Sequence, residues 1–295
     1  LESALSGVGR ATDKDNRLFY RRNFTVPPTP AGRRVLLHFE AVDWGAKVFL
    51  NGAGIGDHTG GYEPFDIDIT DHLKPGENSI MVEVWDPCDA PANESGGHEP
   101  PRGKQVRNPN GIWYTSVTGI WQSVWLEWVP ERSIDSITFT PDVATKRLLV
   151  TPRVRGEVGA DARVEVALHW PGASDAPAAV TALVPPNVAT AIDVPDPILW
   201  SPESPRLYTV QLRYGADRAT SYVAFRSIEV KPDARGTPRV MLNGSPYFML
   251  GTLDQGWWPD GLYTAPTLEA MVYDIETTKA LGFNTIRKHV KIEPA

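Results

Sequence analysis

Short runs in which apolar and polar residues alternate dominate the first two-thirds of the chain. Residues 35–39 and 47–50 are rich in β-formers, and residues 65–69 (FDIDI) alternate apolar and acidic side chains. Alternation with a period of two is typical of a strand with one face in the core and the other in water. Asn51-Gly52 is a strong signal for a tight hairpin turn. The pattern predicts a jelly-roll β-sandwich over residues 1–130.

A second series of strand-like runs begins at residue 131. Its clearest members are residues 147–150, 163–168, 189–192 and 208–212. Their spacing is typical of a seven-stranded sandwich of about 100 residues. The chain has a single cysteine, so the disulfide of antibody-type domains is excluded. The pattern predicts an immunoglobulin-like β-sandwich over residues 131–231.

The spacing of apolar residues changes after residue 231. Residues 247–250 are predicted to form a strand, and the next apolar positions lie at i, i+3, i+4 and i+7, namely Leu268, Met271, Val272 and Ile275. That spacing predicts an amphipathic helix over 267–281, with Thr267 as its N-cap. Residues 283–292 return to a strand pattern.

Strand, helix and strand make one βαβ unit over residues 232–295. A single βαβ unit cannot bury both of its faces. Either it docks on the β domains or the rest of an α/β domain is missing from this chain.

Composition and charge narrow the function classes. The 295 residues are 41% hydrophobic and 22% charged, which excludes a disordered chain. A net charge of −7 argues against a nucleic-acid or anionic-membrane partner. The sequence has no signal peptide, no membrane-spanning run and no metal-ligand spacing, and it predicts neither a metal nor a cofactor. The cellular compartment stays open.

Several motifs then resemble, in order, those of glycoside hydrolase family 2. They are residues 111–114 (GIWY), 118–127 (TGIWQSVWLE), 199–208 (LWSPESPRLY), 225–229 (FRSIE), 242–246 (LNGSP) and 281–289 (LGFNTIRKH). The first two resemble the closing motif of the family's sugar-binding domain, the next two its sandwich, and the last two its first barrel strands. The resemblance implies a mainly β chain: a jelly-roll sandwich, an immunoglobulin-like sandwich and the start of a TIM barrel.

The resemblance also implies retaining hydrolysis of β-linked glycosides. The family's two catalytic glutamates follow its fourth and seventh barrel strands, and this chain ends after its second. The resemblance therefore implies an N-terminal portion of the enzyme, which alone is inactive. Asn93-Glu94 matches the family's Asn-Glu pair only in its letters, because it lies in a polar loop. We predict a solvated loop acid there.

Candidate substrate-binding residues follow the first predicted barrel strand. Asp254 and Gln255 offer partners for sugar hydroxyls, and Trp257 and Trp258 offer aromatic faces for sugar C–H groups. The alternative is that the tryptophans pack against the preceding domains and that Asp254 caps a turn.

Three further candidates come from the resemblance. Arg287 and His289 lie where the family has a pocket-bordering Arg and His, although the His is shifted by one position. Arg287 would orient a catalytic carboxylate, or alternatively form an ion pair inside the barrel. Asn110 lies near the position of a loop Asp that reaches the active site in some members.

Two other classes of function remain. One is a non-catalytic carbohydrate-binding or scaffold protein, and the other is a protein-interaction module with an exposed apolar patch. The βαβ ending favours the enzyme, because a self-contained binding protein has no reason to begin a barrel. The expected partner is a carbohydrate substrate, and a homodimer through the exposed apolar surface of the incomplete barrel is a further expectation.

Overall fold

The structure, a computed structural model, describes residues 2–91, 93, 95, 97 and 101–293. The chain is mainly β and divides into two compact units. The first unit comprises residues 1–128 together with 250–295, and the second comprises residues 129–249.

The first unit is a β-sandwich followed by a small parallel unit. The strands of the sandwich are β1 (Leu18–Thr25), β2 (Arg33–Phe39), β3 (Val42–Asp43), β4 (Gly45–Leu50), β5 (Ala53–Thr59), β6 (Phe65–Asp68), β7 (Glu77–Trp85), β8 (Gln105–Val106), β9 (Tyr114–Thr115), β10 (Gly119–Ile120) and β11 (Val124–Pro130).

Two antiparallel sheets contribute to the core of this sandwich. One has the strand order β1-β7-β4-β5 and the other the order β11-β2-β6. Alternate residues of β2, β4 and β7 point inward and form one apolar cluster, which includes Val35, Leu37, Val48 and Val82. The turn between β4 and β5 is confirmed, since Asn51 and Gly52 both have positive φ.

The second unit is a separate β-sandwich. Its strands are β12 (Ser133–Asp142), β13 (Arg147–Arg155), β14 (Val164–His169), β15 (Val180–Val184), β16 (Thr190–Asp193), β17 (Tyr208–Tyr214), β18 (Asp217–Val223), β19 (Ile228–Pro232), β20 (Pro238–Leu242) and β21 (Ser245–Pro246). The sheets run β12-β13-β16, β15-β14-β17-β18 and β19-β20-β21. Tyr208 and Phe225 lie fully buried in its core. The four strand runs predicted from the sequence all lie in this unit and are confirmed.

A parallel βαβ unit completes the first unit. It consists of β22 (Gly251–Asp254), α1 (Leu268–Ala280) and β23 (Thr285–Lys288), and β22 pairs with β23 in parallel. The predicted N-cap is confirmed, because Thr267 Oγ1 accepts a hydrogen bond from the Ala270 N–H at 3.2 Å. Every residue of α1 is at least partly exposed. Among the described residues, no helix has the length and hydrophobicity to cross a lipid bilayer.

The strand predicted over residues 247–250 is wrong. These residues are irregular, and the first strand of the βαβ unit begins at Gly251. The physical reason is that Tyr247 still bonds to the preceding β20–β21 hairpin, so the parallel strand begins only after it. Tyr247 donates its N–H to Val240 O at 2.9 Å and its hydroxyl to Glu203 at 2.8 Å.

The βαβ unit docks on the jelly-roll sandwich. Tyr62 and Tyr263 share a hydroxyl hydrogen bond of 3.1 Å, and Thr264 Oγ1 donates to Trp121 O at 2.6 Å. Trp121 donates its indole N–H to Gly61 O at 2.8 Å. Tyr62, Trp121 and Tyr263 pack with Val117 in a shared apolar cluster. Docking is therefore observed, and it does not exclude the second outcome, a larger α/β domain, because the apolar residues of α1 remain exposed.

Candidate functional site

The carboxyl ends of β22 and β23 lie side by side, because the two strands are parallel. Asp254 pairs in register with Lys288, the last residue of β23. The next residues along the chain, Gln255 and His289, extend the same edge, and the His289 N–H donates to Asp254 O at 2.8 Å. Loops at the carboxyl ends of parallel strands are where barrel enzymes place their active sites. This edge is the candidate site.

Asp254 is held on both of its carboxylate oxygens. Oδ1 accepts from the Gly256 N–H at 2.6 Å and Oδ2 from Lys288 Nζ at 2.6 Å. Burial works to raise the pKa of Asp254, but these two hydrogen bonds outweigh it and lower that pKa. The hydrogen bond to Gly256 matches the turn-capping alternative. A sugar contact by Asp254 stays a prediction.

A loop of the jelly roll reaches this edge. Lys104 Nζ donates to Gln255 Oε1 at 3.0 Å. Its neighbour Gly103 has φ +57°, and a Cβ atom there would overlap the carbonyl oxygen of Val290, just after β23. Only a glycine lets the loop approach this closely without strain. Residues 103 and 104, called the wedge from here on, therefore belong to the site.

The two tryptophans take different positions. Trp257 stacks on Tyr114, with ring centroids 4.4 Å apart, and lies against Tyr263 at 4.8 Å. Its indole N–H is buried and has no hydrogen-bond partner among the described residues. Trp258 is half-buried and its backbone forms two hydrogen bonds with Leu262. The observed packing of Trp257 matches the alternative weighed above, and sugar contacts by either tryptophan stay predictions.

The three remaining candidate residues are Arg287, His289 and Asn110. Arg287 is exposed on β23, where it pairs in register with Leu253. His289 is half-exposed. Partial burial lowers the pKa of His289, and the nearby charges of Arg287 and Lys104 lower it further. Asn110 is exposed, and its side-chain amide donates to Asn108 O at 3.4 Å, within its own loop. Arg287 and His289 thus share the edge with Gln255.

Beneath the edge lies a buried lysine that sequence reasoning missed. Lys291 donates to Tyr263 O at 2.9 Å and to Gly256 O at 3.4 Å. Its ammonium lies 5.4 Å from the centre of the Trp121 ring. Burial lowers the pKa of Lys291, against the opposing effect of Glu293. Lys291 therefore fixes the turn after β22 from below. Because Lys291 lies 35 residues from Gly256 in the sequence, no local sequence pattern indicates their contact.

A pair of buried carboxyl groups lies in the jelly roll. Asp43 and Asp86 are both buried. Asp86 accepts from the Cys88 N–H at 2.7 Å and from Thr118 Oγ1 at 2.9 Å. Burial raises the pKa of Asp86 to about 6, and burial followed by the charge of Asp86 raises that of Asp43 well above its usual range. Ionisation of these buried carboxyl groups lowers the stability of the fold as pH rises. Neither buried acid was predicted from the sequence.

The part of the chain that the structure describes contains no group of three or more His, Cys, Asp or Glu side chains arranged to bind a metal ion. Glu94, the loop acid predicted above to be solvated, lies outside the described residues.

Known proteins similar to this chain fall in one group. Residues 11–115 match a model described as "Glycosyl hydrolase 2 galactose-binding domain-like", and residues 133–226 match "Glycosyl hydrolases family 2". A β-galactosidase of Thermoanaerobacter pseudethanolicus is 28% identical over 247 residues, which is 79% of this chain and 31% of that protein. The chain therefore spans about a third of the length of this relative.

Two solved structures are similar to most of the chain. An FMN-binding β-glucuronidase from Faecalibacterium prausnitzii has a TM-score of 0.76 and 25% identity. The match covers 96% of this chain and 44% of the glucuronidase chain. A β-galacturonidase from Eisenbergiella tayi, bound to glycerol, has a TM-score of 0.70 and 25% identity. That match covers 99% of this chain and 48% of the other.

Proposed function

Because the chain belongs to glycosyl hydrolase family 2, we propose that the protein containing it is a retaining β-glycosidase. We propose that residues 1–130 are its jelly-roll domain, residues 131–231 its immunoglobulin-like sandwich, and residues 232–295 the beginning of a (β/α)8 catalytic domain. This chain supplies part of the substrate-binding edge. Its substrate is a carbohydrate with a β-glycosidic bond.

The observation that carries the proposal is the docking of the wedge at the carboxyl ends of β22 and β23. Gln255 is fixed there by Lys104, and His289 and Arg287 flank it. Amide, imidazole and guanidinium groups suit the hydroxyls of a sugar ring. This arrangement gives a sugar several hydrogen-bonding partners at the carboxyl ends of β22 and β23.

Hydrolysis with retention needs two carboxyl groups about 5–5.5 Å apart. One attacks the anomeric carbon, and the other protonates the leaving oxygen and later activates water. We assign neither role to a residue of this chain. We propose that Arg287 orients one of these carboxylates and that Gln255 and His289 hold the sugar in the reactive position.

The test is hydrolysis of aryl β-glycosides by the complete protein. We expect release of the aryl alcohol from at least one of the β-galactoside, β-glucoside, β-glucuronide and β-mannoside. A mechanism-based inactivator of retaining glycosidases should abolish the activity, because it traps the covalent intermediate. Binding of these sugars without turnover would instead favour the non-catalytic alternative.

We also propose that the 295-residue polypeptide by itself forms a homodimer through the apolar face of α1. Leu268 and Ile275 are 67% and 58% exposed, and Met271 and Val272 are each 42% exposed. An apolar patch of this kind favours association. Sedimentation should show a dimer that Ile275→Lys dissociates, whereas Glu276→Lys, a charge change at a neighbouring exposed residue, should leave it intact. A monomer at all concentrations would contradict this proposal.

A further inference from the structure

Three Asn-Gly dipeptides occur along the chain: Asn51-Gly52, Asn110-Gly111 and Asn243-Gly244. An asparagine followed by glycine is open to chemical attack on its own side-chain amide, because glycine has no Cβ to keep its backbone nitrogen away from the asparagine side chain. The attack requires the asparagine Cγ to turn until it lies close to that nitrogen. The hydrogen bonds in the structure leave this freedom to one of the three asparagines.

Asn51 is held on both polar atoms of its side chain. Nδ2 donates to His72 O at 3.0 Å and to Asn78 Oδ1 at 2.9 Å. Oδ1 accepts a hydrogen bond from the Ser79 N–H at 3.1 Å. Ring closure at Asn51 would break all three hydrogen bonds, so the fold protects this residue.

Asn243 is held in the same way in the second unit. Nδ2 donates to Trp200 O at 3.0 Å, and Oδ1 accepts from the Ser227 N–H at 3.0 Å. The side chain is half-buried and joins two separate segments of that unit. Ring closure at Asn243 would therefore break two hydrogen bonds and disturb the packing around them.

Asn110 is exposed, and its side chain is held only weakly. Among the described residues its one side-chain hydrogen bond is the 3.4 Å bond from Nδ2 to Asn108 O, within the same loop. Gly111 is also exposed, and a Cβ atom added there would meet no atom within 4 Å. The side chain of Asn110 and the backbone of Gly111 thus have room to adopt the geometry of ring closure.

We propose that Asn110 is a site of spontaneous deamidation, with water as the only co-reactant. Hydroxide from the solvent takes the proton of the Gly111 backbone nitrogen, and this nitrogen attacks Asn110 Cγ. The new N–Cγ bond closes a succinimide ring, while the Cγ–Nδ2 bond breaks and the nitrogen leaves as ammonia. Water then opens the ring, either at Cγ, which gives an aspartate, or at the main-chain carbonyl carbon, which gives an isoaspartate.

Both products change the loop that contains Asn110. Each product replaces a neutral amide with a negatively charged carboxylate. In the isoaspartate the chain continues through Cγ, and the former main-chain carbonyl becomes a free carboxylate. The 3.0 Å hydrogen bond from the Trp113 N–H to Asn110 O, which closes the turn, must then rearrange. The modification therefore alters the charge of the loop and, in the isoaspartate, its backbone.

The experiment follows the three asparagines in the complete protein by peptide mapping with mass spectrometry. The protein is incubated at mildly alkaline pH and then digested with pepsin at acid pH, where the nitrogen is not deprotonated and the reaction is slow. We expect the mass increase of an NH2-to-OH exchange at Asn110, at a rate at least about tenfold above that at Asn51 and Asn243. The Asn110 peptide should give two products, an aspartate and an isoaspartate form.

Two controls separate the fold from the dipeptide. In guanidinium chloride, where the protecting hydrogen bonds are lost, the three asparagines should react at rates within about threefold of one another. Gly111→Ala should slow the reaction at Asn110 by about tenfold, because the added Cβ hinders the approach of the nitrogen to Cγ. The same variant should leave Asn51 and Asn243 unchanged.

Two results would overturn the inference. One is an intact Asn110 in the folded protein after a period in which the unfolded chain has reacted at all three asparagines. The other is deamidation of Asn51 or Asn243 as fast as that of Asn110 in the folded protein. Both results come from the unmutated protein, so the test does not depend on the folding of Gly111→Ala, and neither depends on hydrolysis of a glycoside.

Discussion

Gly103→Ala is expected to lower the free energy of unfolding of the first unit by about 2–5 kcal/mol. About 1–2 kcal/mol comes from placing an L-residue at φ +57°, in the left-handed region. A further loss of about 1–3 kcal/mol comes from the overlap of the new methyl group with the Val290 carbonyl, because relieving that overlap requires the backbone to shift. The wedge should also separate from β23, so that Lys104 no longer reaches Gln255.

Gly111→Ala is the matched control. Gly111 also has φ +57°, but its methyl group would meet no atom within 4 Å. We expect the backbone cost alone, about 1–2 kcal/mol, and no effect on the wedge. Urea unfolding followed by tryptophan fluorescence measures both variants. Equal losses of stability would show that Gly103 does not pack against Val290.

Asp86→Asn is expected to stabilise the first unit at pH 8 and to have no such effect at pH 4. The pKa of Asp86 rises from its ordinary 3.8 to about 6 on folding, so the native state holds more protons than the unfolded state between these values. Stability of the wild type therefore falls as pH rises from about 4 to about 6 and stays reduced above that. The cost is about 3 kcal/mol, from roughly two pKa units at 1.36 kcal/mol each.

Asparagine suits the site chemically. Its side-chain oxygen can accept from the Cys88 N–H, and its amide can donate to Thr118 Oγ1 once that hydroxyl turns. The charge and its desolvation cost disappear while the hydrogen bonds stay. Asp43, whose pKa is also raised by burial, should extend the fall in stability to higher pH.

Asp68→Asn provides a control of opposite sign. The hydrogen bonds from Arg34 and Thr70 outweigh burial and lower the pKa of Asp68, so its charge stabilises the fold at neutral pH. The variant should lose stability at pH 4 as well as at pH 8, because the stabilisation by this charge is lost only as pH falls below the ordinary Asp pKa of 3.8. Thermal unfolding of both variants between pH 4 and pH 8 measures the difference. A Tm of Asp86→Asn below that of the wild type at pH 8 would refute the buried-charge explanation.

Local features of the fold could be predicted from the sequence because their causes are local. The Asn51-Gly52 turn follows from the tolerance of both residues for positive φ, and the start of α1 follows from the hydroxyl of Thr267. The four strands of the second unit follow from their apolar alternation. The strand predicted at residues 247–250 was wrong, since Tyr247 still bonds to Val240 of the preceding hairpin and to Glu203, and the parallel strand begins at Gly251.

The candidate site could be predicted only in part. The edge residues Gln255, Arg287 and His289 follow a strand–helix–strand pattern that places the two strand ends together. The wedge could not be predicted, because Lys104 lies 151 residues from Gln255 in the sequence and within a polar loop. The burial of Asp86 was missed for the same reason: Thr118, one of its partners, is 32 residues away.

We propose that the protein containing this chain hydrolyses β-glycosides with retention at the carboxyl ends of β22 and β23. The most direct measurement is ¹H NMR of the complete protein acting on an aryl β-glycoside that it hydrolyses, recorded in the first minutes. Because double displacement inverts the anomeric carbon twice, the β-anomer of the free sugar should be released first and then equilibrate with the α-anomer. Initial release of the α-anomer, or no hydrolysis of any β-glycoside, would contradict the claim.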